Sequence, residues 1–461
     1  MAIKTMPAND SAGHDDRAFL GQPKALGYLA FTEAWERFSY YGMQSLLALY
    51  LVKHLLLPGN AGNVVFFDDF RRLYGNVDGQ PLASEIVGTY FACVYLTPII
   101  GGFLADRVLG KHRTVLLGAV TMAAGHFLMA FEASFLFALL CLILGSGMFK
   151  GNIASQVGSL YKMEDLRRAD AFQLFYLGIN AGVIAAPLVV GTLAETQGWH
   201  YGFGAAGVGM LIALAIYVLG RKYLPAEHFT IGGKADRLAH APFSRADRSA
   251  VIALLLLVPT LAIGVVPNNQ IFNAYLVWGD QQFDLVFWGK RLPTTWLVTL
   301  DAILSVSFLG GVALFYRWYG KHHREPDELA KLIIGSGFSI AGMFCLYMAA
   351  ETQTPGAKIG LYWPVAFHML NSIAFAHMLP ISLALFSRIA PKSINATVIG
   401  LYYLAFFIGN SLVGWIGGFY SSMRTTDFWL LHAGLAASAG MVFLLLKLLL
   451  ISRLASAAVT E

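Results

Sequence analysis

The chain has 461 residues, of which 57% are hydrophobic and only 13% charged, with a mean hydropathy of +0.60 and a net charge of +5. This composition excludes an ordinary soluble domain. Apolar runs of about 20 residues recur along nearly the whole length, which predicts an all-α polytopic membrane protein and excludes a single anchor or a β-barrel.

Twelve spans are expected, at residues 26–56, 84–106, 114–132, 134–160, 170–192, 200–220, 249–279, 294–316, 332–350, 359–387, 394–421 and 427–446. They divide the chain into a tail (1–25), a six-helix bundle (26–220), a linker (221–248), a second six-helix bundle (249–446) and a C-terminal tail (447–461). The first 24 residues are polar and lack the apolar core of a signal peptide, so the first span is expected to direct insertion itself. Lys and Arg number 23 in the tails, linker and even-numbered loops, 6 in the odd-numbered loops, and three (Arg37, Lys53, Lys150) within spans. By the positive-inside rule both termini are cytoplasmic, and the basic excess is a topology signal with no nucleic-acid partner implied. Cys93, Cys141 and Cys345 lie in apolar runs without paired spacing, and His368 and His377 fall on opposite helix faces, so no metal site is expected.

Span 1 contains FTEAWERFSYY (31–41), two carboxylates and a guanidinium at membrane depth. Such charges are costly there and normally face a bundle interior or a watery cavity. At ~100° per residue Glu33, Glu36, Arg37, Tyr40, Tyr41 and Gln44 share one sector, so charge and phenol are expected to look into one cavity. The outer loop 58–83 is polar, with a short amphipathic piece near 64–74. Span 2 ends in TPIIGGFLADRVLGKHRT (97–114), where Gly101 and Gly102 permit close helix approach and Asp106, Arg107, Lys111 and Arg113 form a cluster able to clamp two half-bundles. Its order resembles the loop 2–3 signature of the major facilitator superfamily.

Span 4 holds Lys150 within GSGMFKGN, and an ammonium there needs a carboxylate, a cavity or a snorkelling route. Span 5 places Tyr176 and Asn180 on one face, beside Gly178 and Gly182 as flexible points. Taken together, ExxER with FSYYG (33–42), the loop 2–3 signature, GMFKGN, FYLGINAG (175–182) and GWHYGFGAAGVGM (198–210) resemble the proton-dependent oligopeptide transporter family of the major facilitator superfamily. SRIAPKSINATVIGLYYL (387–404) is similar, more weakly, to that family's loop between helices 10 and 11.

The linker is charged and short, with nothing apolar enough for the two extra helices that many bacterial members insert. Span 7 is broken by Pro259, Gly264 and Pro267, as in gating helices. Span 8 carries Asp301, span 10 carries His368, Asn371, His377 and Pro380, and span 11 has a small-residue seam of Gly409, Asn410, Gly414, Gly417 and Gly418. No strand pattern, phosphate loop or nucleophile elbow stands out, so no enzyme is expected.

The resemblance implies import of peptides or peptide-like solutes by alternating access, with protons as coupling ion and no cofactor. It assigns coupling to Glu33, Glu36 and Arg37, and substrate contacts to Tyr40, Tyr41, Tyr95, Lys150 and Asn180; Tyr176, Asp301 and His377 join the substrate set from their positions on the spans. Gln44, Asp106, Arg107, Arg113 and Trp278 are the gating candidates. Four departures stand out, one being Gly151 where the family has proline after the helix 4 lysine. Gln44 occupies the place of a gate arginine, with no carboxylate for it near 275–278 on span 7; Phe375 occupies the place of the helix 10 glutamate that receives a peptide's amino terminus; and Asp301 stands where the family has asparagine. Asp301 is therefore expected to pair with Lys150, each otherwise being an uncompensated buried charge. The alternatives are a transporter of a non-peptide or modified-peptide solute, such as an organic anion or peptidic natural product, and a non-transporting sensor on the same fold. A monomer in the bacterial inner membrane is expected.

Overall fold

In the computed structural model, residues 16–162, 164–225, 245–389 and 395–459 are described. The tail before residue 16, linker residues 226–244 and the 390–394 stretch of the loop between spans 10 and 11 lie outside them. Among the described residues, twelve long helices run in order: α1 Lys24–Tyr50, α2 Gly79–Leu104, α3 Lys111–Leu128, α4 Phe135–Ser159, α5 Arg167–Ala186, α6 Trp199–Gly220, α7 Arg245–Asn269, α8 Trp296–Tyr319, α9 Glu328–Glu351, α10 Tyr362–Ile389, α11 Asn395–Gly417 and α12 Thr425–Val459. Among the described residues, ten stretches are long and apolar enough to cross a membrane. The two long helices outside that set are α1, which carries the charged triad, and α3, which starts on Lys111, His112 and Arg113.

α1–α6 enclose one apolar core, in which Leu46, Leu47, Phe135, Phe149 and Phe203 are fully buried. The second half closes around Tyr275, Trp278, Phe367 and Trp429 at one end and Leu254, Phe386 and Phe443 at the other. The halves meet chiefly along α2 with α11 and α5 with α8. The α2–α11 contact is backbone on backbone, because a Cβ on Gly88 would strike Gly414 and a Cβ on Gly414 would strike Gly88 and the Ser84 carbonyl. Thus part of the α11 seam joins the two halves.

Some local expectations need correction. Gly101 packs against the Gly147 backbone, but Gly102 meets nothing, so one glycine of the pair makes the close approach. Gly178 and Gly182 lie against the carbonyls of Ala30 and Ala34; they let α5 settle on α1 and are packing positions, not flexible ones. α7 runs unbroken through Pro259, Gly264 and Pro267. Its interruption comes later, at residues 270–273, where Asn273 leaves helical geometry before the chain resumes as Ala274–Gln282. The Asn273 backbone N–H stays bonded to the Gln270 carbonyl, and its side-chain amide donates to the Val413 carbonyl of α11, which ties the break to the neighbouring helix. A two-residue hairpin, Val286–Phe287 with Lys290–Arg291, also adds a small sheet that alternation did not reveal.

Candidate functional site: a cavity between the two halves

A cavity of about 540 Å³ lies between the halves. α1 contributes Arg37, Tyr40, Tyr41 and Gln44, while Tyr95, Lys150, Tyr176 and Asn180 come from α2, α4 and α5. From the other half come Asn268, Asn269, Asp301, Phe375, Tyr403 and Asn410. Its charged lining is Arg37 and Lys150 on one wall and Asp301 on the other. That asymmetry gives the cavity a cationic and an anionic side.

The triad on α1 does not face the cavity as one sector. Arg37 lines it, whereas Glu33 and Glu36 lie behind the guanidinium, 2% and 0% exposed. Arg37 Nε donates to Glu33 Oε1 at 2.7 Å and also lies 3.1 Å from Glu36 Oε2. The second contact is an ion pair without hydrogen-bond alignment, since both Glu36 oxygens and Glu33 Oε2 are buried with no hydrogen-bond partner. With both carboxylates ionised the triad carries a net negative charge, and one proton neutralises it. Arg37 is then shared by one anion instead of two.

Lys150 and Asp301 do not pair. Lys150 Nζ sits 3.5 Å from the Tyr40 ring centroid, a cation–π contact that shelters the ammonium without a carboxylate. Asp301 Oδ1 lies 3.0 Å from His368 Nδ1, with the Asn371 amide at 3.5 Å. The expected reciprocal compensation fails because each charge finds a partner within its own half.

Asn180 donates to the Tyr176 carbonyl, and both side chains border the cavity while Gly178 between them and Gly182 beyond them face α1. Tyr95 stacks on Phe406 across the α2–α11 contact, centroids 5.0 Å apart. His377 is misplaced as a substrate contact: its Nε2 meets the Tyr316 hydroxyl and its Nδ1 the Ile373 carbonyl, inside the second half and away from the cavity lining. Gln44 lines the cavity as expected. Trp278 is 1% exposed, packed on Phe283 and Trp429 away from the lining. Asp106, Arg107 and Arg113 are exposed and, among the described residues, form no ion pair, so the clamp they suggested is not made in this conformation.

The end opposite the termini is closed by residues that sequence reasoning passed over. Lys53 Nζ lies 2.9 Å from Asp280, two residues beyond Trp278, and Asp280 also receives Arg291 at 2.8 Å and the Thr294 hydroxyl at 2.9 Å. An ion pair thus joins the ends of spans 1 and 7, beyond Gln44 along the chain. Glu195, after α5, accepts bonds from the Thr294 N–H (2.8 Å), the Thr295 N–H (2.9 Å) and the Thr295 hydroxyl (2.8 Å), capping the start of α8 from the other half. Trp296 Nε1 donates to Thr192, Gln80 to the Gly417 carbonyl and Ser84 to Asn273. Polar residues at span ends read as ordinary loop residues, which hid this seal.

The POT family profile matches residues 112–235. A peptide transporter of Yersinia enterocolitica is 28% identical over 469 residues, covering 87% of this chain and 89% of that one. A di-/tripeptide transporter of Lactococcus lactis subsp. lactis is also 28% identical, over 94% of this chain and 96% of its own. Among solved structures, a peptide transporter POT in complex with sulfate superposes with a TM-score of 0.81 at 26% identity, covering 94% and 96% of the two chains.

Proposed function

We propose that the chain is a member of the proton-dependent oligopeptide transporter family and imports zwitterionic di- and tripeptides with protons by alternating access, a reading supported by its similarity to the POT family profile and to peptide transporters. The observation that carries this reading is the polarity of the cavity. Arg37 and Lys150 stand on one wall to receive a peptide carboxylate, and Asp301 on the other to receive its ammonium. Asp301 thus supplies the anion that Phe375 does not, and a free amino terminus retains a partner.

Coupling follows from the order of groups around Arg37. A proton taken by the buried carboxylates releases Arg37 from one of its two anions, so its charge becomes available to the substrate carboxylate at the cavity edge. Proton and peptide then favour each other's binding, as symport requires. Lys150, held on Tyr40, supplies a cation beside it in either state.

The excess of basic residues on the tails, linker and even-numbered loops supports cytoplasmic termini, which puts the sealed end outside and makes this an outward-closed state. The setting is the inner membrane of a bacterium, and the transporter works as a monomer because one chain completes the cavity. The test is uptake of L-alanyl-L-alanine into proteoliposomes under an inward proton gradient. Uptake should vanish in Glu36→Gln while peptide exchange without a gradient survives. Gradient-driven uptake unchanged in Glu36→Gln refutes the coupling role of the triad.

A further inference from the structure

Behind the anionic wall of the cavity lies a chain of three titratable groups from three helices. Asp301 on α8, 16% exposed at its side chain, lies 3.0 Å from Nδ1 of His368 on α10, and Nε2 of the fully buried His368 lies 2.9 Å from the hydroxyl of the fully buried Tyr275, after the break in α7. A carboxylate only accepts, so the shared proton sits on Nδ1, and the neutral ring takes a bond from the phenol at Nε2. When Nε2 gains a proton the ring donates at both nitrogens, and the phenol turns its oxygen to accept. Both protonation states keep every bond.

Few other charges reach this chain. Facing it are Asn268 of α7, which accepts from Asn371 (2.8 Å), Cys345 of α9, and Trp429 of α12, with His432 on the indole of Trp429. α11 brings Asn410, bonded to Asn269. Arg37 and Lys150 lie on the opposite wall of the cavity. Asp301 is thus the anion of its wall, and a solitary anion at membrane depth is costly.

We propose that Asp301, His368 and Tyr275 form a second proton site, in which an imidazolium proton and the ammonium of a bound peptide take turns as the cation beside Asp301. In the empty carrier His368 holds the proton and the pair is neutral. A peptide ammonium arriving at the exposed oxygen of Asp301 repels the imidazolium: the Nδ1 proton passes to Asp301 and on to the cavity water, the ring is left neutral with its proton on Nε2 donating to the Tyr275 hydroxyl, and the ammonium replaces the Nδ1–H as donor to Asp301. This proton is opposite in sense to that of the Arg37 triad: it competes with substrate where the other assists. His368 is a positioning residue acting through Asp301. The substrate half of the inference rests on the peptide reading above, while the proton half does not.

The experiment compares L-alanyl-L-alanine with its N-acetyl derivative, binding to the purified full chain by calorimetry from pH 7.5 to 5.5. The ratio of the two affinities cancels protonation of the triad, which both ligands share. In the wild type the ratio should fall at least about fivefold over that range, as one competing proton can change affinity by up to tenfold per pH unit. In His368→Gln the ratio should stay flat, and in Asp301→Asn the preference for the free amino group should be lost throughout. An undiminished pH slope in His368→Gln overturns the competition. If neither peptide binds at any pH, the peptide reading fails, and ligand-free protein with labelled histidine rings decides the proton site by NMR. The ring signal missing from His368→Gln should respond to pH, and its response should change in Asp301→Asn. A His368 ring unresponsive to pH, or one titrating identically in Asp301→Asn, overturns the site itself.

Discussion

Replacing Glu195 with alanine should unlatch the end of the molecule opposite the termini. Its carboxylate accepts two backbone N–H groups and a hydroxyl from the start of α8, all three within 2.9 Å. Hydrogen bonds to a charged group contribute about 1.5–3 kcal/mol each when buried, less where partly solvated and not additively. Allowing for rehydration of the carboxylate in the open state, we take on the order of 3 kcal/mol for the set, or roughly a hundredfold shift of the closed-to-open equilibrium. The Lys53–Asp280 pair makes a useful contrast. Lys53 is 40% exposed, so its pair contributes about 0.5 kcal/mol, or roughly a twofold shift. Spin labels at Leu73→Cys and Trp288→Cys, exposed positions on opposite halves at that end, report the separation by pulsed EPR after the native cysteines are replaced. Glu195→Ala should populate a longer distance and Lys53→Ala should leave the distribution nearly unchanged. An unchanged distribution in Glu195→Ala, with opening in Lys53→Ala, refutes the ranking by hydrogen-bond count and burial.

Gly88→Val should abolish monodisperse folded protein in size-exclusion chromatography, because its side chain meets the Gly414 backbone, whereas Gly102→Ala, facing open space, should elute as wild type. A double-mutant cycle of Lys150→Gln and Asp301→Asn on peptide affinity should give a coupling below about 0.5 kcal/mol, since the two charges are not paired; a larger coupling would show that they meet during the cycle. Burial pushes the Asp327 carboxyl up, but the Ala330 N–H it caps and Lys447 outweigh this and hold it below the ordinary carboxylate range. Its contribution to stability is therefore full above about pH 4 and lost as pH falls through the lower folded value, so Asp327→Asn should flatten the fall in Tm on acidification below pH 4.

What could be read in advance was whatever stands out against an apolar background. The triad on α1, Lys150 and Asp301 were conspicuous because charge within a span is costly, and each except the two shielded glutamates does line the cavity. The partners of those charges were not legible. Asp301 and His368 are 67 residues apart, and the helical period says which face each occupies but not which neighbour that face meets. Hence the Lys150–Asp301 pairing, drawn from charge balance alone, failed where Tyr40 offered a neutral shelter. Gly178 and Gly182 were read for flexibility because composition does not reveal whether a glycine is needed for its φ or for its missing Cβ. Lys53, Glu195 and Asp280 were overlooked for the opposite reason, as charge at a span end is ordinary.

The bare backbone contact of Gly88 with Gly414 sits between the seal and the cavity, and its place makes it a fulcrum. Gln80 and Ser84 of the seal lie four to eight residues before Gly88 on α2, and Tyr95 of the cavity lies seven after, so the lever arms are about 6–12 Å and about 10 Å. A surface without side chains can roll without any rotamer having to change. With arms this short, a tilt of about 10° moves the seal by about 1–2 Å, enough to carry bonds of about 3 Å beyond hydrogen-bond range. The cavity wall moves by a similar amount in the opposite direction. Movement at one end is thereby tied to an opposite movement at the other by the geometry of a single glycine contact.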